Sequence, residues 1–319
     1  MQTNLRSKIS YFAAIASLAL VFIPALVGNL YSQDETIRVE TDLITIPTLV
    51  LDRNGRYVTD LNRADFRVFE DGIEQKMTLF ESVEQPFAVF LLLDRSGSMA
   101  NHFTELEKAS NAFVAQLRPD DNLFVATFAN DVVTLISGVK AKNIKKDIKI
   151  RSRLGDNDTR IYDAVDHALK KLKKIKGRKA IVLFSDGAGS GLYASRKDNI
   201  QKAEENEALI YTIQFNTFKN IRPYNVKLFL KGIEDAGSYM WALPRITGGR
   251  DFQIETIADL AGTFRMIVEE LGKQYSLGYY PARPGKPGER RQINVKVNRP
   301  DVAVRSRNEV VFGALSRKK

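Results

Sequence analysis

Three apolar runs in the middle of the chain are continuous rather than alternating with polar residues. They are Phe87–Leu93, Asn122–Phe128 and Ala180–Phe184. Such runs are typical of strands buried on both faces, as in a parallel sheet covered by helices. Between and after them, apolar residues recur at helical spacing, over Asn101–Leu117, Ile161–Lys174, Ser195–Glu207 and Ala258–Leu271. This alternation predicts an α/β fold: a doubly wound, mostly parallel sheet with helices on both faces.

The flanks of this region have strand periodicity and no helical pattern to cover them. Before it, short strand patterns are separated by turn signals such as Asn54-Gly55. After it, Ile293, Val295 and Val297 alternate with polar residues. We therefore predict an N-terminal β region over residues 33–85 and a C-terminal β region over residues 273–319. The two regions are expected to pair in a small β-sandwich from which the α/β domain, residues 86–272, projects; a plain β tail is the alternative.

The first 32 residues have the pattern of a targeting segment. Arg6 and Lys8 precede the uncharged apolar stretch Tyr11–Val27. A basic start followed by an apolar stretch is typical of a secretory signal. The stretch is long for a signal and short for a spanning helix, and Leu30-Tyr31-Ser32 is an imperfect cleavage site, so an uncleaved membrane anchor is the alternative. Either interpretation predicts an extracytoplasmic protein, which is secreted, periplasmic or at the cell surface.

The amino-acid composition excludes several kinds of metal site and partner. The chain has no cysteine and two histidines, which excludes disulfides and thiolate metal sites and leaves little room for a histidine zinc site. A net charge of +10 favours anionic partners. The basic segments Lys140–Arg153 and Lys170–Arg178 are candidate surfaces for acidic glycan or lipid, although runs of lysine are more often solvated surface. Few aromatic residues interrupt them, so no nucleic-acid partner is expected.

Polar residues with oxygen ligands follow or precede the predicted central elements. Asp94, Ser96 and Ser98 come directly after the first apolar run, Thr159 precedes a helix, and Asp186 follows the third run. Open α/β sheets bind ligands at the carboxyl ends of their strands. Two carboxylates and three hydroxyls, without histidine or cysteine, suit Mg²⁺ better than zinc. The alternative for Asp94–Met99 alone is a helix cap.

These residues resemble the metal-ion-dependent adhesion site of von Willebrand factor type A domains. The resemblance rests on Asp94-x-Ser96-x-Ser98, on Thr159 and on Ser185-Asp186-Gly187, and it covers Pro86–Leu271. It implies Mg²⁺ as the cofactor, with Mn²⁺ or Ca²⁺ as alternatives. It also implies that these five positions hold the ion, Asp186 through water or hydrogen bonds, and that a partner protein's carboxylate completes the coordination.

The resemblance extends to the flanks and has one departure. Val58–Leu61 and Leu277–Pro281 are similar to segments of a group of bacterial exported proteins that contain this domain. Many relatives carry another acidic residue shortly after Asp-Gly, whereas Ala188-Gly189-Ser190 follow here. This departure leaves the five metal positions untouched and concerns only the rim of the site.

Other polar residues near the motif have structural interpretations. Asp156 and Asp158 are either turn residues or ligands of a second cation such as Ca²⁺. Asp163 is expected to favour the start of its helix. His102 is expected at the surface or in a cap, and His167 on an ordinary helix.

The leading functional hypothesis is an exported, non-enzymatic protein-binding module of adhesion type, with a possible membrane tether through its N-terminus. One alternative is a structural protein of the cell envelope whose basic faces bind anionic glycan or lipid, with the metal stabilising only the fold. Another is a metal-dependent hydrolase that uses Ser96 or His102, but no base is evident against either residue.

Overall fold

The computed structural model describes residues 43–151, 156, 158–187, 189–215 and 238–312. Strands β1–β7 are Ile44–Asp52, Phe66–Glu70, Ile73–Gln75, Met77–Glu81, Ala88–Asp94, Asn122–Phe128 and Val132–Lys140. Strands β8–β14 are Lys179–Ser185, Leu209–Phe215, Asp251–Ile254, Tyr275–Tyr279, Arg290–Val297, Val302–Ser306 and Glu309–Val311. The helices are α1 (Phe103–Ala115), α2 (Ile161–Leu172), α3 (Arg196–Glu205), α4 (residues 238–247) and α5 (Leu260–Gly272).

The central sheet has six strands in the order β10-β9-β8-β5-β6-β7. All neighbouring strands are parallel except β6 and β7, which are antiparallel. Strand β5 lies in the middle and is buried throughout, as its continuous apolar run predicts. The chain leaves β5 towards β6 on one side and later returns through β8 on the other. This reversal of direction places a ligand-binding crevice at the carboxyl ends of β5 and β8.

Strand β7 is a correction to the sequence interpretation. The apolar pattern predicts only a short strand, Val132–Leu135, but the strand continues to Lys140 and pairs antiparallel with β6. It forms the edge of the sheet, and its side chains are half-buried or exposed. Polar residues are therefore tolerated along it, and the hydrophobic pattern does not reveal its length.

Helices cover both faces of the central sheet. Helices α1 and α5 pack on one face, through residues such as Phe113 and Phe264, whose rings are 5.2 Å apart. Helices α2, α3 and α4 pack on the other face. In α2 the buried apolar residues recur every three or four positions, at Ile161, Ala164, Val165, Ala168, Leu169 and Leu172. This spacing places them on one side of the helix, against the sheet.

The two flanks form two four-stranded sheets with a shared core. One sheet has the order β13-β1-β11-β4 and the other β14-β12-β2-β3. Each therefore combines strands from before and after the α/β region, for example β1 with β11 and β2 with β12, both antiparallel. Apolar side chains of both sheets meet in one cluster that includes Ile46, Val68 and Leu277. The predicted fold class, an α/β sheet with additional antiparallel β-structure, is confirmed.

Two arginines hold the junction between the β-sandwich and the α/β region. The guanidinium of Arg178 is buried and donates to the backbone carbonyls of Val83, Gln85 and Leu271. Arg118 donates to the carbonyl of Val83 at 2.9 Å and to that of the last residue of α5 at 2.8 Å. Loss of solvation lowers the pKa of Arg178 to about 10, so it remains charged at neutral pH. The two segments that connect the β-sandwich to the α/β region, one before β5 and one at the end of α5, are thus hydrogen-bonded to the same two arginines.

The predicted targeting segment, residues 1–32, lies outside the described residues. Among the helices that the structure describes, none is long and apolar enough to cross a membrane.

Candidate metal centre

Asp94 ends strand β5, and its carboxylate is completely buried. Its Oδ1 accepts the backbone N–H of Ser96 at 2.9 Å, and its Oδ2 accepts the hydroxyl of Ser185 at 2.6 Å. The Ser185 oxygen in turn accepts the backbone N–H of Gly187 at 3.2 Å. The hydroxyl oxygens of Ser96 and Ser98 lie 3.1 Å apart. Asp94 is therefore oriented by its own loop and by the last residue of β8.

Backbone hydrogen bonds join the three loops that carry the predicted ligands. Gly97, between the two serines, donates its N–H to the carbonyl of Asp156 at 2.9 Å. Ser190, in the loop after β8, donates to the carbonyl of Thr159 at 2.8 Å. The loop before α2 is thus attached to both of the others, which brings the segment that contains Thr159 to the same edge of the sheet as Asp94.

The site holds two buried carboxylates of the same charge. Asp94 and Asp186 are 0% and 1% exposed. Burial and the negative charge of Asp186 raise the pKa of the Asp94 carboxyl to about 7, although hydrogen bonds from Ser185 and Ser96 act in the opposite direction. A cation between the carboxylates would remove this repulsion.

The donor chemistry fits a small hard cation. The two oxygens of Asp94 have about four lone-pair sites, which is more than their hydrogen bonds from Ser96 and Ser185 occupy. The hydroxyls of Ser96 and Ser98 are close enough to serve neighbouring coordination positions. Mg²⁺ takes few carboxylates and retains water, as this set requires. Within the described residues, no group of three or more histidine, cysteine, aspartate or glutamate side chains is placed to hold a metal.

Arg95 is a supporting residue that the sequence interpretation missed. It directly follows Asp94, is only 2% exposed, and forms ion pairs with Asp131 and Asp156. The ion pair with Asp156 is a contact that the sequence interpretation of this residue, as a turn residue or a ligand of a second cation, does not include. Arg95 therefore links β5 to the loops before β7 and before α2. A charged residue directly after a buried apolar strand is the available signal, but its partners lie far away in sequence.

The remaining polar candidates have structural contacts. Asp158 forms an exposed ion pair with Arg160. The ring of His102 lies edge-on against Phe215, with centroids 5.1 Å apart, and the ring of His167 lies 3.1 Å from the Thr134 hydroxyl.

Asp163 has a larger structural role than its position in the first turn of α2 suggests. Its carboxylate accepts the backbone N–H groups of Leu192, Tyr193 and Ala194, at 2.9, 2.9 and 2.7 Å. It therefore fixes the conformation of the loop that follows Asp186.

The two basic segments are less available as anion-binding surfaces than the sequence indicates. Lys140 and Lys142 pair with Asp120, and Lys170 pairs with Asp166. Arg178, which the sequence interpretation places on a basic face, is buried at the junction described above. Local carboxylates and burial thus remove part of the charge that these runs would offer to a polymer or membrane.

Comparisons with known proteins identify the α/β region. Residues 89–188 match the family model described as the von Willebrand factor type A domain. No curated protein matches the chain. Among solved structures, an aerotolerance-related membrane protein from Bacteroides fragilis NCTC 9343 is 14% identical, with a TM-score of 0.40, over 59% of this chain and 99% of that one. The ArnB paralog VWA2 from Sulfolobus acidocaldarius is 17% identical, with a TM-score of 0.43, over 85% of this chain and 75% of that one.

A third structure, von Willebrand factor type A from Catenulispora acidiphila, is 10% identical, with a TM-score of 0.42, over 86% of this chain and 75% of that one. The matched residues span β5 to the loop after β8 and so contain all five predicted metal positions. Residues 89–188 of the chain are therefore similar to a von Willebrand factor type A domain.

Proposed function

We propose that the protein is an exported protein-binding module whose affinity depends on a divalent cation, with Mg²⁺ as the resident ion. The proposal rests on one observation: the fully buried carboxylate of Asp94 faces the charge of Asp186, beside two serine hydroxyls 3.1 Å apart. Such an arrangement is unfavourable alone and favourable around a cation. Export rests on the N-terminal sequence pattern.

The chain's own residues orient the site before any partner binds. Ser185 and the Ser96 N–H fix the two oxygens of Asp94. Hydrogen bonds from Gly97 and Ser190 fix the loop that carries Thr159. Mg²⁺, when bound, supplies the attraction for a partner's carboxylate. Because these hydrogen bonds already hold the residues that they join, a partner loses little affinity to ordering them.

A hydrolase is less well supported by these contacts. The Ser96 hydroxyl lies against Ser98, and His102 packs against Phe215 rather than against a nucleophile. Nucleophilic catalysis needs a base within hydrogen-bond reach of the attacking oxygen. A structural envelope protein, held by its basic faces, is disfavoured by the local pairing of several lysines.

The test is metal-dependent capture. The wild-type protein and the Asp94→Ala variant are immobilised and exposed, with Mg²⁺, to an extract of the envelope of the cells that produce the protein. We expect the wild type to retain a partner that EDTA releases, and the variant to retain none. Capture that persists in EDTA would refute the proposal. A Mg²⁺-dependent rise in melting temperature without any EDTA-released partner would support the structural alternative.

A further inference from the structure

The loop between Asp186 and α3 presents two large apolar side chains to solvent. Tyr193 is 87% exposed, more than any other large hydrophobic residue that the structure describes, and its neighbour Leu192 is 58% exposed. Single exposed apolar residues are common and need no explanation. Two adjacent ones on a loop beside a candidate binding site are a reason to examine how that loop is held.

The backbone under these side chains is fixed. The Asp163 carboxylate accepts the N–H groups of Leu192, Tyr193 and Ala194. A carboxylate with three backbone donors is a strong, charge-assisted arrangement. The loop therefore holds Tyr193 in the open at little further entropic cost, as a preformed contact surface does.

The same loop is attached to the metal centre. Ser190 donates its N–H to the Thr159 carbonyl at 2.8 Å, and its own carbonyl accepts the N–H of Tyr162 at 3.2 Å. Glycine is required where the two loops touch: a Cβ on Gly189 would lie 2.8 Å from the Thr159 oxygen. The apolar pair is thus anchored directly to a segment that carries a predicted metal ligand.

The segment that carries the apolar pair is uncharged. Residues 189–195 contain no charged side chain, Arg196, Lys197 and Asp198 follow them, and the Asp163 carboxylate is occupied by the backbone N–H groups of the loop. Asp158, which lies 3.5 Å from the Ser190 hydroxyl, is paired with Arg160. A partner that approaches the metal with a carboxylate therefore meets an uncharged segment with exposed apolar side chains on this side.

We infer that Leu192 and Tyr193 form the apolar half of the binding surface, and that the partner is a protein segment with a large apolar side chain next to its metal-binding carboxylate. This inference rests on the proposed function and narrows it. Tyrosine contributes large, rigid contact area and is enriched among residues that dominate binding. Asp163 is a positioning residue, which acts only through the loop.

The experiment uses a displayed library of linear peptides, each with one fixed aspartate between randomised positions. The library is bound to the immobilised full chain in Mg²⁺ and eluted with EDTA. We expect the eluted peptides to be enriched in aromatic or large aliphatic residues within two positions of the aspartate. Affinity of a selected peptide should fall about tenfold or more in Tyr193→Ser, as for a central tyrosine at an interface, and remain near wild type in Tyr193→Phe.

Two further variants separate contact from positioning. Asp163→Asn keeps both apolar side chains but loses acceptors for the loop, so affinity should fall several-fold while the Mg²⁺-induced rise in melting temperature remains. Tyr280→Ser removes an exposed tyrosine of the β-sandwich part and should leave peptide affinity unchanged. Preserved stabilisation by Mg²⁺ in Tyr193→Ser shows that the metal centre itself is intact.

The outcomes distinguish the two proposals. If EDTA elutes no peptides, the proposed function fails, and this inference fails with it. If EDTA elutes peptides without apolar enrichment, or if Tyr193→Ser binds them as the wild type does, only this inference fails. Sedimentation of the protein alone is the last measurement. A dimer that forms only with Mg²⁺ and is lost in Tyr193→Ser would assign this surface to a second copy of the chain. That result would overturn the choice of partner.

Discussion

Replacing Asp94 by asparagine tests whether two buried carboxylates are held together at the cost of stability. Asparagine has nearly the same shape and carries no charge. In EDTA we expect Asp94→Asn to be more stable than the wild type at alkaline pH, because the repulsion from Asp186 and the burial of the charge disappear. In Mg²⁺ we expect the opposite order, because only the wild type gains stability from the ion.

The magnitude follows from the pKa of Asp94. Raising that pKa from 3.8 to about 7 makes the ionised carboxylate cost about 4 kcal/mol in the folded state. The folded protein binds this proton more tightly than the unfolded chain, so the free energy of unfolding falls as the pH rises from about 4 to about 7. Asparagine loses about 2 kcal/mol because one of the two oxygens that accept from Ser96 and Ser185 is replaced by an NH₂ group, which cannot accept. The net gain is about 2 kcal/mol, or about 4 °C in melting temperature.

Thermal melts followed by calorimetry measure the effect. At about pH 8 in EDTA the variant should melt about 4 °C above the wild type, and at about pH 5.5, where the wild-type penalty falls to about 2 kcal/mol, the two should melt together. Asp121→Asn is the matched control, since Asp121 is also buried with a raised pKa but accepts the N–H of Phe87 at the other end of β5. It should leave the Mg²⁺ response unchanged. A variant that melts below the wild type in EDTA, or that keeps the Mg²⁺ response, would refute the reasoning.

Three further substitutions test the supporting structure. Arg95→Met leaves the buried Asp156 without its cation, so chemical denaturation should show a loss of about 3–5 kcal/mol in the free energy of unfolding; a loss below 1 kcal/mol would contradict the ion pair. Arg178→Met deprives three junction carbonyls of their donor and should lower the free energy of unfolding by about 3 kcal/mol, with a denaturant titration as the measurement. Gly187→Ala forces an unfavourable positive φ beside Asp186, and Mg²⁺ titration calorimetry should show at least about tenfold weaker binding; unchanged affinity would argue against a role for this turn.

The order of strands and helices in the α/β region could be predicted because the apolar pattern of each element follows from the way in which it is buried. A strand covered on both faces must be apolar at every position, as in β5 and β8, and a helix packed on a sheet must repeat its apolar residues every three or four positions, as in α2. Edge strand β7 lacks such a constraint. Its length therefore emerges only from its hydrogen bonds with β6.

The metal positions could be named from the sequence because their residue types are unusual where they stand. A carboxylate and two hydroxyls directly after a buried strand indicate a ligand site at the end of that strand. Thr159 and Asp186 complete a set of oxygen donors. Their role as ligands remains a prediction. The residues that orient them lie at long sequence separation, such as Ser185 to Asp94 and Asp156 to Arg95. No local pattern marks such pairs.

The sequence by itself determined the α/β class, the β character of both flanks and the candidate donors, because each depends on local spacing and residue chemistry. Only the tertiary structure decided that Asp156 forms an ion pair with Arg95 and that Arg178 is a buried donor to three backbone carbonyls. It also decided that Asp163 accepts the backbone N–H of Tyr193, in a loop that is hydrogen-bonded to Thr159 through Ser190. These are relations between segments brought together by folding. Their energies depend on distance and desolvation, which the order of residues along the chain does not specify.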